Sequence, residues 1–150
     1  LKAFIGEIKA LGFAVKLDTN GSFPERLQEL IHNKLVDYVA MDIKNAPDKY
    51  GQTIGVKNYD ISPIKQSVSI LLSNVVPYEF RTTVVRELHT DQDMFALAQW
   101  IKGTQNYYIQ NFVNSNDVLM RGMSSYSKEE LQALLDLIHP LIPTARLRGV

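Results

Sequence analysis

Apolar residues recur at Leu1, Phe4, Ile5, Ile8 and Leu11, a helical spacing that Gly12 stops. The next five residues, Phe13 to Leu17, are short and alternating and predict a strand, which discharges directly into the polar run Asp18-Thr19-Asn20-Gly21. Pro24 then fits the first turn of a helix that Ser22 caps, with Leu27, Leu30 and Ile31 as its buried stripe. Val36 to Lys44 reads as a second strand, apolar until Asp42, followed by a loop with a helical turn in "NAPDKYGQTIG". In "DISPIKQSVSILLSN" Ser62 is the expected cap and Pro63 the first helical residue, with Ile64, Val68, Leu71 and Leu72 on one face. Tyr78 to Val85, rich in β-branched and aromatic residues, predicts the third strand. Asp91 is the expected cap of a helix presenting Phe95, Leu97, Ala98 and Ile101, and Tyr107 to Phe112 predicts the fourth strand. A polar loop from Val113 to Tyr126 leads to a capping box, Ser127 with Glu130, that opens the last helix. Ala145 to Gly149 fits a final short strand.

Strands and helices therefore alternate, at the spacing of right-handed βαβ units. The expected fold class is α/β, with a parallel sheet and outer helices, as an open sheet or an incomplete, TIM-like (β/α) barrel. No repeat and no linker divides the chain, so residues 1–150 are read as one domain. The first element is a helix without the strand that normally precedes it, and the first residue is Leu. Both suggest that an upstream part is missing. The sheet flank left by that part is expected to be exposed or covered by self-association.

Composition narrows the function. Sixteen basic and sixteen acidic residues give a formal net charge of zero, so nothing draws the chain toward nucleic acid or an acidic membrane. No apolar run approaches the ~20 residues of a membrane span, and a cytoplasmic location is expected. Cysteine is absent, which excludes disulfides, thiolate nucleophiles and any self-contained iron–sulfur site. The three histidines, His32, His89 and His139, fall in or beside helix ends or loops and read as surface or capping residues.

Ligands in parallel α/β folds bind at the carboxyl ends of the strands. The first strand delivers Asp18, Thr19 and Asn20 there, the second Asp42 and Lys44, and the fourth Gln110 and Asn111; Arg81 lies further back within the third. Each has a plain structural reading. Asp-Thr-Asn-Gly is a good turn, Asp42 and Lys44 face the same side as a solvated ion pair, and Arg81 is a buried guanidinium that Asp18 or Asp42 could neutralise. Gln110 and Asn111 could simply begin a loop. Together, however, they form a coherent set. Lys44 and Arg81 suit a carboxylate, Asp18 or Asp42 an ammonium or a ribose hydroxyl, and Thr19, Asn20 and Gln110 sugar or base edges. An amino acid joined to a nucleoside would fit.

With "KLDTNG" and "DYVAMDIK" at this spacing, and "RTTVV" and "YYIQNF" beyond them, the chain resembles the radical S-adenosylmethionine activating enzymes. The nearest branch is the activating proteins of anaerobic ribonucleoside-triphosphate reductase, with the pyruvate formate-lyase activating enzymes as close relatives. The resemblance implies a partial barrel that holds S-adenosylmethionine across its strand ends, with Asp18, Thr19, Asn20, Asp42 and Lys44 matching the family's site motifs. It places Lys44 at the methionine carboxylate and Gln110 and Asn111 near the adenine. It further implies an oxidoreductase in which a 4Fe-4S cluster supplies an electron, a 5′-deoxyadenosyl radical forms, and a glycine on a partner enzyme loses hydrogen, with a reductant such as flavodoxin. The family's CxxxCxxC loop and its Gly-Gly-Glu-Pro motif are both missing here. The chain is accordingly read as the C-terminal two-thirds of such an enzyme, inactive alone. Two readings stand beside it: a non-catalytic α/β module for a small molecule or nucleotide, and an interaction domain whose polar rim is only a salt-bridge network.

Overall fold

The computed structural model describes residues 1–113 and 122–149. Helix α1 (Lys2–Ala10) is followed by β1 (Lys16–Thr19), α2 (Pro24–His32) and β2 (Tyr38–Asp42). A 3₁₀ turn (Pro47–Lys49) runs into the short α3 (Tyr50–Thr53). Then come α4 (Ser62–Leu72), β3 (Tyr78–Val84), α5 (Asp91–Trp100), β4 (Tyr107–Asn111), α6 (Lys128–Ile138) and β5 (Arg146–Arg148). Of the polar loop expected over Val113–Tyr126, residues 114–121 lie outside the described residues.

The five strands form one sheet in the order β1-β2-β3-β4-β5, every pair parallel. Strict sequential order means that each right-handed crossover steps the same way, which keeps the helices on one face. The result is a partial (β/α) barrel, one of the two architectures that the alternation of elements allows. Val39, Met41, Ile43, Phe80, Val84 and Ile109 point into a core shared with Leu27, Leu30, Ile64, Val68, Leu71, Met94, Leu97, Leu131 and Ile138. Helix α2 packs beside α4, and α5 beside α6. The alternate strand residues lie on the other face, which no described helix covers. Among the described residues β1 pairs only with β2, and β5 only with β4, so both flanks of the sheet are open.

Several local expectations shift. The first strand starts at Lys16 and includes Asp18 and Thr19, because its register against β2 runs from Lys16↔Tyr38 to Thr19↔Met41. Phe13 finds no strand partner and is exposed. Ser22 does not cap α2: Phe23 holds the N-cap position without a side-chain bond, and the Asn20 side chain accepts from Ser22 N–H at 3.0 Å instead. Ser62 is already helical, and Asp60 accepts from its N–H at 2.9 Å. Thr90 rather than Asp91 caps α5, in a reciprocal box with Asp93. Met94 takes the core place expected of Phe95, which is exposed. The box of Ser127 and Glu130 forms as predicted.

Helix α1 forms, but its apolar stripe is largely uncovered. Ile5 is buried, whereas Leu1, Phe4 and Leu11 are 76%, 62% and 74% exposed. Exposed ion pairs, Lys2 to Glu29 at 2.5 Å and Lys9 to Asp37 at 2.7 Å, tie the helix down.

Gly21 closes the turn after β1 with φ +77°, a conformation that L side chains adopt only under strain. Its carbonyl accepts from Ser67 Oγ at 2.7 Å, which seats the turn on α4. A Cβ there would collide with the buried Met41 Cε and lie 3.3 Å from Ser67 Cβ. Gly12 has φ +87° but open space around its Cα. In urea unfolding, Gly21→Ala is expected to cost about 2–4 kcal/mol, from backbone strain plus overpacking. Gly12→Ala, carrying the strain alone, should cost about 1–2 kcal/mol. Equal losses would show that Met41 moves aside without penalty.

Candidate functional site

The uncovered face of the sheet carries a ladder of charge. Side chains two apart on a strand share a face, so Lys16 and Asp18 on β1 align with Tyr38, Ala40 and Asp42 on β2, Glu79 and Arg81 on β3, Tyr108 and Gln110 on β4, and Arg146 and Arg148 on β5. Two clusters form along it.

The first lies at the carboxyl ends of β1 and β2, level with the middle of β3. Arg81 Nε donates to Asp42 at 2.9 Å and its Nη1 to Asp18 at 3.1 Å, while Lys44 Nζ sits 3.4 Å from Asp42. Arg81 is the most enclosed of the four, its side chain 16% exposed. Burial works against its charge, and the Asp42 and Asp18 carboxylates more than offset that, leaving its pKa raised. Arg81 is therefore shared by both acids. Lys44 is partly exposed, and Asp42 is its one ion-pair partner among the described residues. A ligand carboxylate can add to the Lys44 ammonium without breaking the Arg81 bridges.

The second cluster lies deeper and centres on Glu79, which is 3% exposed. Arg148 grips it with two bonds, at 2.7 and 2.9 Å, Tyr38 Oη donates at 3.2 Å, and Lys16 Nζ lies 3.7 Å away. The Arg148 guanidinium also stacks 3.6 Å over the Tyr108 ring. The Arg148 hydrogen bonds hold the Glu79 carboxyl below its ordinary value despite burial. Burial and the Glu79 charge push the Tyr38 phenol up to about 12.

Of the residues that the sequence singles out, the structure brings Asp18, Asp42, Lys44 and Arg81 together and puts Gln110 on the same face. Three others stand apart. Thr19 is on the helix-covered side, its Oγ1 accepting from Gly21 N–H at 3.0 Å, and the Asn20 side chain holds its own turn. Asn111 also faces the helices. Its amide donates to Tyr126 O at 2.8 Å and accepts from Tyr126 N–H at 3.0 Å. His89 departs furthest from expectation: it is 1% exposed, neither surface nor cap. The reading by strand ends missed Glu79, Arg148, Lys16 and Tyr38. Their signal was period-two alternation, Lys16/Asp18 in "KLDT", Glu79/Arg81 in "YEFR" and Arg146/Arg148 in "RLR". Among the described residues no group of three or more His, Asp or Glu side chains could hold a metal ion, and no helix is long and apolar enough to cross a membrane.

Comparison with known proteins gives this face a context. The chain is 40% identical over 108 residues to a Methanocaldococcus jannaschii protein that carries the provisional name glycyl-radical enzyme activating enzyme. The chain is a homologue of that M. jannaschii protein. The matched region takes in 69% of the chain and 45% of the M. jannaschii protein, so it spans under half of that relative. No protein-family model matches. In fold, the chain superposes on a domain of a pyruvate-formate lyase-activating enzyme from Bacteroides vulgatus with a TM-score of 0.74 and 16% identity, over 99% of this chain and 89% of that one. A radical SAM methyltransferase from Sphaerobacter thermophilus gives the same TM-score at 14% identity, over 92% of this chain and 42% of that one. At such identities these two establish the fold alone.

The Glu79 cluster makes a pH-dependent contribution with a definite sign. Its folded-state pKa lies below the ordinary 4.5, so the ionised carboxylate stabilises the fold fully above pH 4.5, and that stabilisation is lost as pH falls through the folded value. Glu79→Gln is expected to be less stable than wild type by about 1–3 kcal/mol near neutral pH. The gap should close as pH falls below 4.5 and through the lower folded-state value. Urea midpoints across that range measure it, and a gap that stays constant would show that the glutamate contributes shape rather than charge.

Proposed function

We propose that this chain is the C-terminal part of a radical S-adenosylmethionine enzyme that installs a glycyl radical on an anaerobic ribonucleotide reductase or a related glycyl-radical enzyme. The observation that carries the reading is the Asp18–Arg81–Asp42–Lys44 cluster, at the carboxyl ends of β1 and β2 and beside the middle of β3, in a homologue of a protein named as a glycyl-radical enzyme activating enzyme. Two acids and two bases in mutual reach, one base still accessible, fit a zwitterionic amino acid bearing a nucleoside.

In this reading Lys44 holds the carboxylate of S-adenosylmethionine, and Asp42 keeps the Lys44 ammonium over the strand end. Arg81 fixes both aspartates, so that Asp18 presents its outer oxygen to an ammonium or a ribose hydroxyl. Gln110 borders the same face for the nucleoside. When bound and reductively cleaved, S-adenosylmethionine supplies the radical chemistry that removes hydrogen from the partner's glycine. The chain's residues do not fit an iron–sulfur cluster, since it has no cysteine to ligate one. The cluster thiolates belong to the rest of the enzyme, which would take its electron from a reductant such as flavodoxin. The open flank of β1 and the uncovered Leu1, Phe4 and Leu11 offer a place for that rest to pack, or for self-association. A cytoplasmic location accompanies this reading.

Calorimetry on the intact, cluster-loaded enzyme tests it. Lys44→Ala is expected to weaken S-adenosylmethionine binding by roughly 10- to 150-fold, the loss of a charge-assisted hydrogen bond of about 1.5–3 kcal/mol. Lys65→Ala, on the exposed side of α4, should change it by less than about twofold. Equal affinities would favour the rival reading, in which the paired aspartates and Arg81 are a structural rim. The 150-residue chain alone, reconstituted anaerobically with iron and sulfide, should develop no cluster absorbance.

A further inference from the structure

Lys44 lies two residues beyond the last residue of β2, where the sheet ladder no longer fixes the backbone. Its carbonyl is instead held from the side by His89 Nε2 at 2.8 Å. The geometry assigns the ring's tautomer. A carbonyl only accepts, so Nε2 carries the proton in the short bond to Lys44; Nδ1 faces Val85, 3.0 Å from its N–H and 3.2 Å from its carbonyl, and accepts from the nearer N–H. Both nitrogens of a buried imidazole are thus used, one on each of two strand ends. The neighbouring residue repeats the link: the buried Asn45 amide donates to Leu88 O at 2.7 Å and to Thr53 Oγ1 at 2.9 Å. Tyr126 Oη donates to His89 O, and the Tyr126 backbone is clasped by the Asn111 side chain. A hydrogen-bond chain therefore runs from the end of β4 through Tyr126 and His89 to the end of β2.

We infer that His89 is a positioning residue for Lys44: its Nε2–H fixes the Lys44 carbonyl and with it the direction in which the ammonium leaves the backbone. The inference rests on the proposed role of Lys44 at a ligand carboxylate. His89 is fully buried and touches no ligand itself. It acts on the Lys44 main chain, whereas Asp42 acts on the side chain, so the two restraints set the lysine at both ends.

Two substitutions separate positioning from packing. His89→Asn keeps an acceptor near the Nδ1 position for Val85 but cannot reach Lys44; His89→Gln keeps a donor near the Nε2 position and gives up the bond to Val85. Each variant loses one hydrogen bond, so their structural costs are similar. S-adenosylmethionine binding to the intact enzyme is measured by calorimetry, with thermal unfolding run in parallel. His89→Asn should weaken binding about tenfold and His89→Gln by less than about twofold. Placed in the Lys44→Ala background, His89→Asn should have no further effect, because a residue that acts through Lys44 has nothing left to position. Equal losses in the two variants, or a full loss persisting without Lys44, overturn the inference and leave the reading of the site standing. Wild-type enzyme that binds no S-adenosylmethionine overturns both. If His89→Asn does not fold, ¹H–¹⁵N correlation spectra of the wild type carry the test. A protected Nε2–H that shifts on adding S-adenosylmethionine supports the inference, and an unprotonated Nε2 or an unmoved resonance overturns it.

Discussion

A parallel sheet covered by helices on one face only must settle the charge on its other face, and Arg81 is where that settlement is made. Its guanidinium is largely enclosed, and an enclosed charge without partners is strongly destabilising. Asp42 and Asp18 supply those partners from β2 and β1, which ties three successive strands together at once. The deeper Glu79–Arg148 pair repeats the device between β3 and β5, across the intervening β4. Two bridges thus brace the uncovered face over its whole width, while the main hydrophobic core lies on the other side.

This division of labour shapes what the site can do. Because the aspartates are already matched to Arg81, Lys44 is left with a weak, partly solvated contact, and a weakly held cation is the group that a ligand anion recruits at least cost. Its accuracy comes from the main chain. His89 and Asn45 pin the segment after β2 to the loop after β3, and Gly21 seats the turn after β1 against Met41 and Ser67. Residues without any ligand contact thereby set the geometry of those that would have one.

Much of the arrangement was legible in the sequence. The alternation of helical and strand spacing determined the order of elements and the parallel connections, since these periodicities follow directly from backbone geometry, and left an open sheet or a partial barrel as the architecture. It also placed Asp18, Asp42 and Lys44 at strand ends, and the pairing of Ser127 with Glu130 was plain from their spacing. Caps were harder, because a shift of one residue decides which side chain reaches the first turn: Thr90 displaced Asp91, and Asp60 took the part expected of Ser62.

Only the tertiary structure decided faces and partners. Thr19 and Asn111 sit one residue from Asp18 and Gln110, and in a strand one residue is the difference between the uncovered face and the helix-covered one. The partnership of Glu79 with Arg148 spans 69 residues, and His89 reaches Lys44 across 45. No local pattern encodes such pairs. They exist because strand register and crossover direction bring distant positions side by side, and it is there that a glutamate is buried, a histidine loses its solvent and a lysine gains a fixed direction.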